Sequence, residues 1–206
     1  MLDGLDDIDW GCLTHAYGPA SDVPGLIRGL LSADKPQRDS ALRELFSSIW
    51  HQGTVYEAAI HALPFLIELL GAPDEQTPDR ESVALLVASI VGGRGYFEVH
   101  HTRELINPFT REPMPPPPDL DERLAAERVI VAEVRRRGER AIPLLVPYLK
   151  HEEPDIRRSV AEAISCYPRL SATTVPALHD ALATETDDET RTALNAALTA
   201  VASGPA

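Results

Sequence analysis

Ile142-Pro143-Leu144-Leu145-Val146-Pro147-Tyr148-Leu149 places an aliphatic residue ahead of a proline, then leucines two and six residues beyond it. The same spacing recurs as Val23-Pro24 with Leu26 and Leu30, as Leu63-Pro64 with Leu66 and Leu70, and as Val175-Pro176 with Leu178 and Leu182. Leucines four apart fall on one helix face. Four copies at identical offsets mark an internal repeat, each copy one supersecondary unit that needs its neighbours to bury its apolar face.

Working outward, each motif runs into a polar turn: Ser32-Ala33-Asp34-Lys35-Pro36, the stretch around Pro73-Asp74-Glu75, Glu152-Glu153-Pro154-Asp155, and Thr186-Asp187-Asp188-Glu189. A second helix follows, opening near Arg38, Arg80, Arg157 or Arg191, which lie 14, 16, 14 and 15 residues past the motif proline. Its apolar residues recur with helical spacing, for example Leu42, Leu45, Phe46 and Ile49, or Leu194, Ala197, Leu198 and Val201. Acidic residues crowd the starts of these helices, where the backbone dipole favours negative charge. Strand signals are nearly absent; the β-branched Val129-Ile130-Val131 sits inside Glu122 to Arg137, which reads as one helix. The fold class is all-α.

Paired helices with Pro-x-Leu in the first, an acidic turn and an arginine early in the second resemble HEAT repeats, most closely the bacterial HEAT-like type of the phycobilisome lyases. The resemblance covers about residues 20–93 and 138–202. It implies a right-handed α-α superhelix, a solenoid of about four to five stacked pairs. It implies little about chemistry, because the motif records packing. The expected organisation is an N-terminal capping segment (1–19, with Trp10 and Leu13 over the first pair), repeats 1–2 (20–93), an irregular Pro-rich insertion (94–120), and then an extra helix followed by repeats 3–4 (121–206). The motif prolines lie 40, 79 and 33 residues apart, so residues 94–137 replace one unit with something irregular. Pro24 and Pro176 are expected in or near a first helical turn, and Pro64 is expected to kink its helix. The early arginines and turn acids are expected to pair along the stack.

Two stretches depart from the repeat. Trp50-His51-Gln52-Gly53-Thr54-Val55-Tyr56 joins the first pair to the second. In its packing reading Gly53 ends one helix, Thr54 caps the next, and Trp50 and Tyr56 fill the core. In its functional reading His51 and Gln52 form a polar recognition patch with His15 and Tyr17. Residues 92–120 run from a glycine cluster to Pro115-Pro116-Pro117-Pro118 and carry Tyr96, Phe97, His100, His101 and Phe109. Long aperiodic loops are either functional or spacers. The candidate partner-binding residues are therefore Tyr96, Phe97, His100, His101, Phe109, His51 and Gln52.

Catalytic, cofactor and metal sites find no support. Adjacent His100 and His101 point apart on an extended chain, and no ligand-spaced partner follows. Cys12 and Cys166 are the only cysteines, which excludes a disulfide framework and a cysteine-rich zinc site. There is no Gly-x-Ser-x-Gly turn and no phosphate-binding glycine loop of Walker or Rossmann type. Lys and Arg total 19 against 32 Asp and Glu, a net charge of −13. That balance opposes nucleic acid and favours a basic polypeptide partner. Arg135-Arg136-Arg137, with Arg128 and Arg140, is the one basic cluster, placed where a helix C-terminus accounts for it. No apolar run reaches the ~18 residues of a membrane span, and the acidic start Met1 to Asp7 is unlike a signal peptide. The expectation is a cytoplasmic, non-catalytic HEAT-like scaffold binding a basic partner as adaptor, regulator or immunity-type inhibitor. The alternative is an enzyme of the same fold, resembling the HEAT-like DNA glycosylases or the bilin lyases.

Overall fold

The computed structural model describes residues 1–100, 109–112 and 117–203, apart from the side chain of Asp74. Among them, four helix pairs stack into an all-α solenoid. The first two are α1 (Val23–Gly29) with α2 (Lys35–Ser48), and α3 (Glu57–Gly71) with α4 (Arg80–Gly92). A short α5 (Tyr96–His100) follows. The third pair opens with α6 (Leu120–Gly138), which continues through a 3-10 turn, Glu139–Ala141, into α7 (Ile142–Leu145) and the 3-10 segment Val146–Lys150. Its second helix is α8 (Pro154–Ser165), and α9 (Ser171–Thr184) with α10 (Asp188–Ala202) completes the fourth pair. Because α4 packs directly on α8 and α3 on α6, the long motif spacing adds no stacked unit. The additional chain leaves after α4 and returns as an N-terminal extension of the third pair's first helix.

The motif leucines do the packing their spacing implies. Leu66, Leu70, Leu145, Leu149, Leu178 and Leu30 are buried, and Leu26 and Leu182 are half-buried against the core. Each full burial stabilises by about 1.5–3 kcal/mol, which anchors every pair to its neighbour. The prolines divide differently from expectation. Pro24 lies in a first turn, as expected, and Pro143 lies at the start of α7. Pro176 lies inside α9 instead, because that helix already begins at Ser171, just after the 3-10 turn Pro168–Leu170. Pro64 lies inside α3 and has no N–H, so the Ile60 carbonyl loses its intrahelical donor. Arg137 of α6 supplies the replacement, Nη1 donating to that oxygen at 3.1 Å. A proline in one pair is thus answered by an arginine in the next.

The turn inside each pair is stitched by the early arginine. Arg38 Nη1 donates to the carbonyls of Ser32 and Ala33 at 2.8 and 3.2 Å, and Arg157 Nη1 to those of His151 and Glu152 at 2.7 and 2.8 Å. Arg191 reaches Glu185 O at 2.7 Å, and Arg80 reaches Ala72 O. These bonds satisfy carbonyls that the preceding helix leaves open. Two arginines also span repeats: Arg38 Nε meets Asp79 at 2.5 Å, and Arg157 grips Glu185 with two 2.7 Å bonds.

The segment before α1 runs along α3 and α1. The Leu2 N–H donates to Glu68 at 3.1 Å, Thr14 to Glu57 at 3.4 Å, and Arg28 of α1 pairs with Asp6 at 2.5 Å. Leu5 and Trp10 are buried, the indole N–H donating to Leu5 O at 2.8 Å, and the Trp10 ring meets His61 of α3 edge-on.

Candidate functional site

The connections between pairs gather at the end of the stack opposite the arginine turns, and here the structure departs most from a regular solenoid. Residues 50–55 are a hairpin, β3 (Trp50–His51) against β4 (Thr54–Val55), and not a helix cap. Its two-residue loop holds Gln52 at φ 50° and Gly53 at φ 89°, the pair of positive angles that the tightest twisted hairpin requires. Thr54 does not cap α3. Its buried hydroxyl donates to His51 O at 2.7 Å and bonds the Tyr56 hydroxyl at 3.1 Å. Trp50 and Tyr56 are half-buried rather than core.

A second hairpin, β1 (Thr14–His15) with β2 (Gly18–Pro19), stands beside it. Ala16 N–H donates to Ser48 O at 3.0 Å, which ties this hairpin to the end of α2. His15 Nε2 lies 3.1 Å from Asp22, and its Nδ1 accepts from the Tyr17 N–H at 3.0 Å. The Tyr17 ring is 68% exposed and meets His51 edge-on with centroids 5.7 Å apart. Tyr17 and His51, 34 residues apart in sequence, therefore lie side by side, while the His15 side chain is only 6% exposed and does not join them at the surface.

The start of the insertion joins the same surface. Val55 N–H donates to Arg94 O at 2.9 Å and Arg94 N–H to Gly53 O at 3.0 Å, so Arg94 extends the β3–β4 hairpin as a short parallel bridge. Gly93 permits this approach, since a Cβ there would collide with Val55. Residues 96–100 are helical rather than irregular. The Glu127 carboxylate of α6 accepts the Phe97 N–H at 2.9 and 3.1 Å and so binds the first turn of α5. Burial pushes the Glu127 carboxyl up, while the N–H groups of Phe97, Glu98 and Tyr96 oppose that shift. Tyr96 packs on His100 at 4.5 Å and on Phe97 at 5.3 Å, and the Arg123 guanidinium covers the Phe97 ring at 5.2 Å.

Of the sequence-derived candidates, His51, Gln52, Tyr96, Phe97 and His100 thus sit on elements joined through Arg94. Phe109 is 93% exposed. His101 lies outside the described residues. Sequence reasoning missed Arg94 and the cleft it borders. This cleft of about 300 Å3 runs between the hairpin (Trp50, Gly53), the end of α4 (Gly92) and α8 (Arg158, Glu162). Arg158 is already committed, to Asp155 and Glu189 at 2.6 Å each, whereas Arg94 and Glu162 are exposed at the cleft. A feature of this kind offers an aromatic wall and one charge of each sign, which suits side chains of a docked peptide.

Among the described residues no three His, Cys, Asp or Glu side chains are grouped to hold a metal ion. The one acidic residue buried among them, Glu185, is held by Arg157 at an intra-pair turn, away from the arginine cluster of α6. Among the described residues no helix is long and apolar enough to cross a membrane.

The family model of HEAT repeats matches residues 117–199. No curated protein matches the chain. Two engineered proteins of solved structure are similar, one at 21% identity over 90% of this chain and 64% of its own with a TM-score of 0.48, the other at 20% over 90% and 39% with 0.49. A designed armadillo repeat protein shares 17% identity over 87% of this chain and 99% of its own, TM-score 0.26. The chain spans less than two thirds of the length of either engineered protein.

Proposed function

We propose that this HEAT-like repeat protein is a non-catalytic scaffold that binds a polypeptide partner through the edge built from its two hairpins, Arg94 and α5. The observation that carries the reading is the convergence of Tyr17, His51, Gln52, Arg94 and Tyr96 on one surface, from three separate connections. Helix pairs need only short polar turns to stack, and exposed aromatic rings on ordered connections add nothing to the core. Tyr17 and Tyr96 are 68% and 40% exposed. Large, stiff, amphipathic side chains of this type supply binding area at low entropy cost.

A net charge of −13 favours a basic partner, accelerating encounter more than it tightens the complex. An adaptor, a regulator or an inhibitor that masks a basic protein fits that charge. The test is capture from host lysate at low and high salt by the wild-type chain and by the Tyr17→Ala/His51→Ala/Tyr96→Ala variant, with the retained protein then purified and titrated against both. The reading expects a basic protein that binds the wild type, weakens with salt, and loses at least tenfold in affinity for the variant. Equal affinity for the two chains would remove this edge from the interface, and recovery of nucleic acid or a chromophore in place of protein would overturn the scaffold reading.

A further inference from the structure

The arginines of α6 do not sit at a free helix end. Backbone angles stay helical from Gly138 through Val146, and the N–H groups of Glu139, Ile142 and Val146 all find helical acceptors. The chain therefore does not leave its helical course at the cluster, which a dipole argument at a free helix end needs it to do. Arg135 and Arg137 have structural partners: Arg135 Nη2 donates to the Gly92 and Gly93 carbonyls at 3.3 and 3.0 Å, and Arg137 donates to Ile60 O. Arg136 is fixed by Glu133 through bonds of 2.8 and 2.7 Å. Arg128 is exposed farther up α6, and two more arginines remain near the cluster. Arg140 and Arg169 are exposed and make no hydrogen bond or ion pair among the described residues.

These side chains border two adjoining cavities of about 670 and 260 Å3, which share Arg136, Glu139 and Leu170. Pro64 and Pro143 wall the larger, and Tyr167 and Pro168 the smaller. The result is a groove with an apolar floor and arginine rims, broken by the exposed Glu139, on a chain whose net charge is −13. Arg136 and Arg137 are paired with Glu133, which leaves Arg140 and Arg169 as the rim charges that anionic groups entering the groove would meet.

We infer that this groove binds an acidic polypeptide segment, with carboxylates on Arg140 and Arg169 and apolar side chains on Pro64, Pro143 and Leu170. Arginine forks match carboxylates, and the proline and leucine floor suits a peptide better than a sugar-phosphate backbone. The patch is confined to where the second, third and fourth pairs meet, and the surrounding negative charge opposes a long polyanion. Its sign is opposite to the net charge of the chain, on which the basic partner proposed above rests, so the two sites take different segments.

The probe is a fluorescein-labelled dodecapeptide of four Glu-Glu-Leu units, titrated by anisotropy against the full chain. The comparison set is Arg140→Glu/Arg169→Glu, the milder Arg140→Gln/Arg169→Gln, and Arg43→Glu on α2 as a distant charge control. Neither groove arginine makes a bond that the substitutions break, and melting curves check that each variant folds. Expected are saturable, salt-sensitive binding by the wild type, a loss of tenfold or more in the Glu pair, an intermediate loss in the Gln pair, and less than a twofold change in the control. No saturable binding, or equal binding by all four chains, overturns the inference. Tighter binding of a labelled single-stranded DNA dodecamer at the same ionic strength also overturns it, by assigning the groove to nucleic acid. None of these outcomes depends on the hairpin edge.

Discussion

Glu185→Gln is the most informative perturbation of the stack. Glu185 is 5% exposed and accepts two 2.7 Å bonds from Arg157 together with the N–H groups of Thr186 and Asp187, both at 2.9 Å. Arg157 in turn holds the carbonyls at the end of the third pair's first helix, so the carboxylate joins the third turn to the fourth. Removing one member of a buried ion pair costs about 3–5 kcal/mol, and the amide, which keeps the shape and one acceptor, belongs at the low end, about 3 kcal/mol. The lowered pKa of Glu185 points to the same size. Arg157 and the two N–H groups hold the Glu185 carboxyl at about 2, against an ordinary 4.5, and each unit is worth about 1.4 kcal/mol. Because the folded value is depressed, this contribution is complete above pH about 4.5 and is lost as pH falls toward about 2, at about 1.4 kcal/mol per unit. Urea unfolding of both chains by circular dichroism at pH 7 and pH 3.5 checks it. The wild type should exceed the variant by about 3 kcal/mol at pH 7, or about 6–12 °C in thermal midpoint, and by roughly 1.4 kcal/mol less at pH 3.5. A difference below 1 kcal/mol at pH 7, or one unchanged by acid, would refute the assignment.

Arg137→Ala should destabilise by about 1–2 kcal/mol, since it orphans the Ile60 carbonyl; in a Pro64→Ala background, where residue 64 regains its N–H, the same substitution should cost about 1 kcal/mol less, read from a double-mutant cycle. Gly53→Ala places a Cβ at φ 89° in the β3–β4 loop and should cost about 1–2 kcal/mol in urea unfolding, whereas Gln52→Asn, at a position that favours asparagine, should be neutral or stabilising.

The helix pairs were legible because the stack reads the same contacts four times, so Leu66, Leu145 and Leu178 announce one packing rule. The pairing of early arginines with turn acids was legible for the same reason, and Arg38–Asp79 and Arg157–Glu185 follow it. The β3–β4 hairpin was hidden because Gln52 takes a positive φ that asparagine or aspartate ordinarily signals. Helix α5 was hidden because five residues carry no periodicity, and its N-terminal acceptor, Glu127, lies 30 positions from Phe97. Pro176 was misplaced because the start of α9 is set by the 3-10 turn before it, which the motif does not encode. The arginine cluster of α6 was assigned to a helix end since that helix reads as running from Glu122 to Arg137, yet the chain stays helical beyond it.

Hydrogen–deuterium exchange of the full chain, alone and with its captured and purified partner, tests the binding edge most directly. The account predicts new protection at residues 14–19, 50–55 and 94–100, with the intra-pair turns around Arg38, Arg80, Arg157 and Arg191 unchanged. Protection confined to those turns, with the hairpins and α5 exchanging as in the free chain, would contradict it.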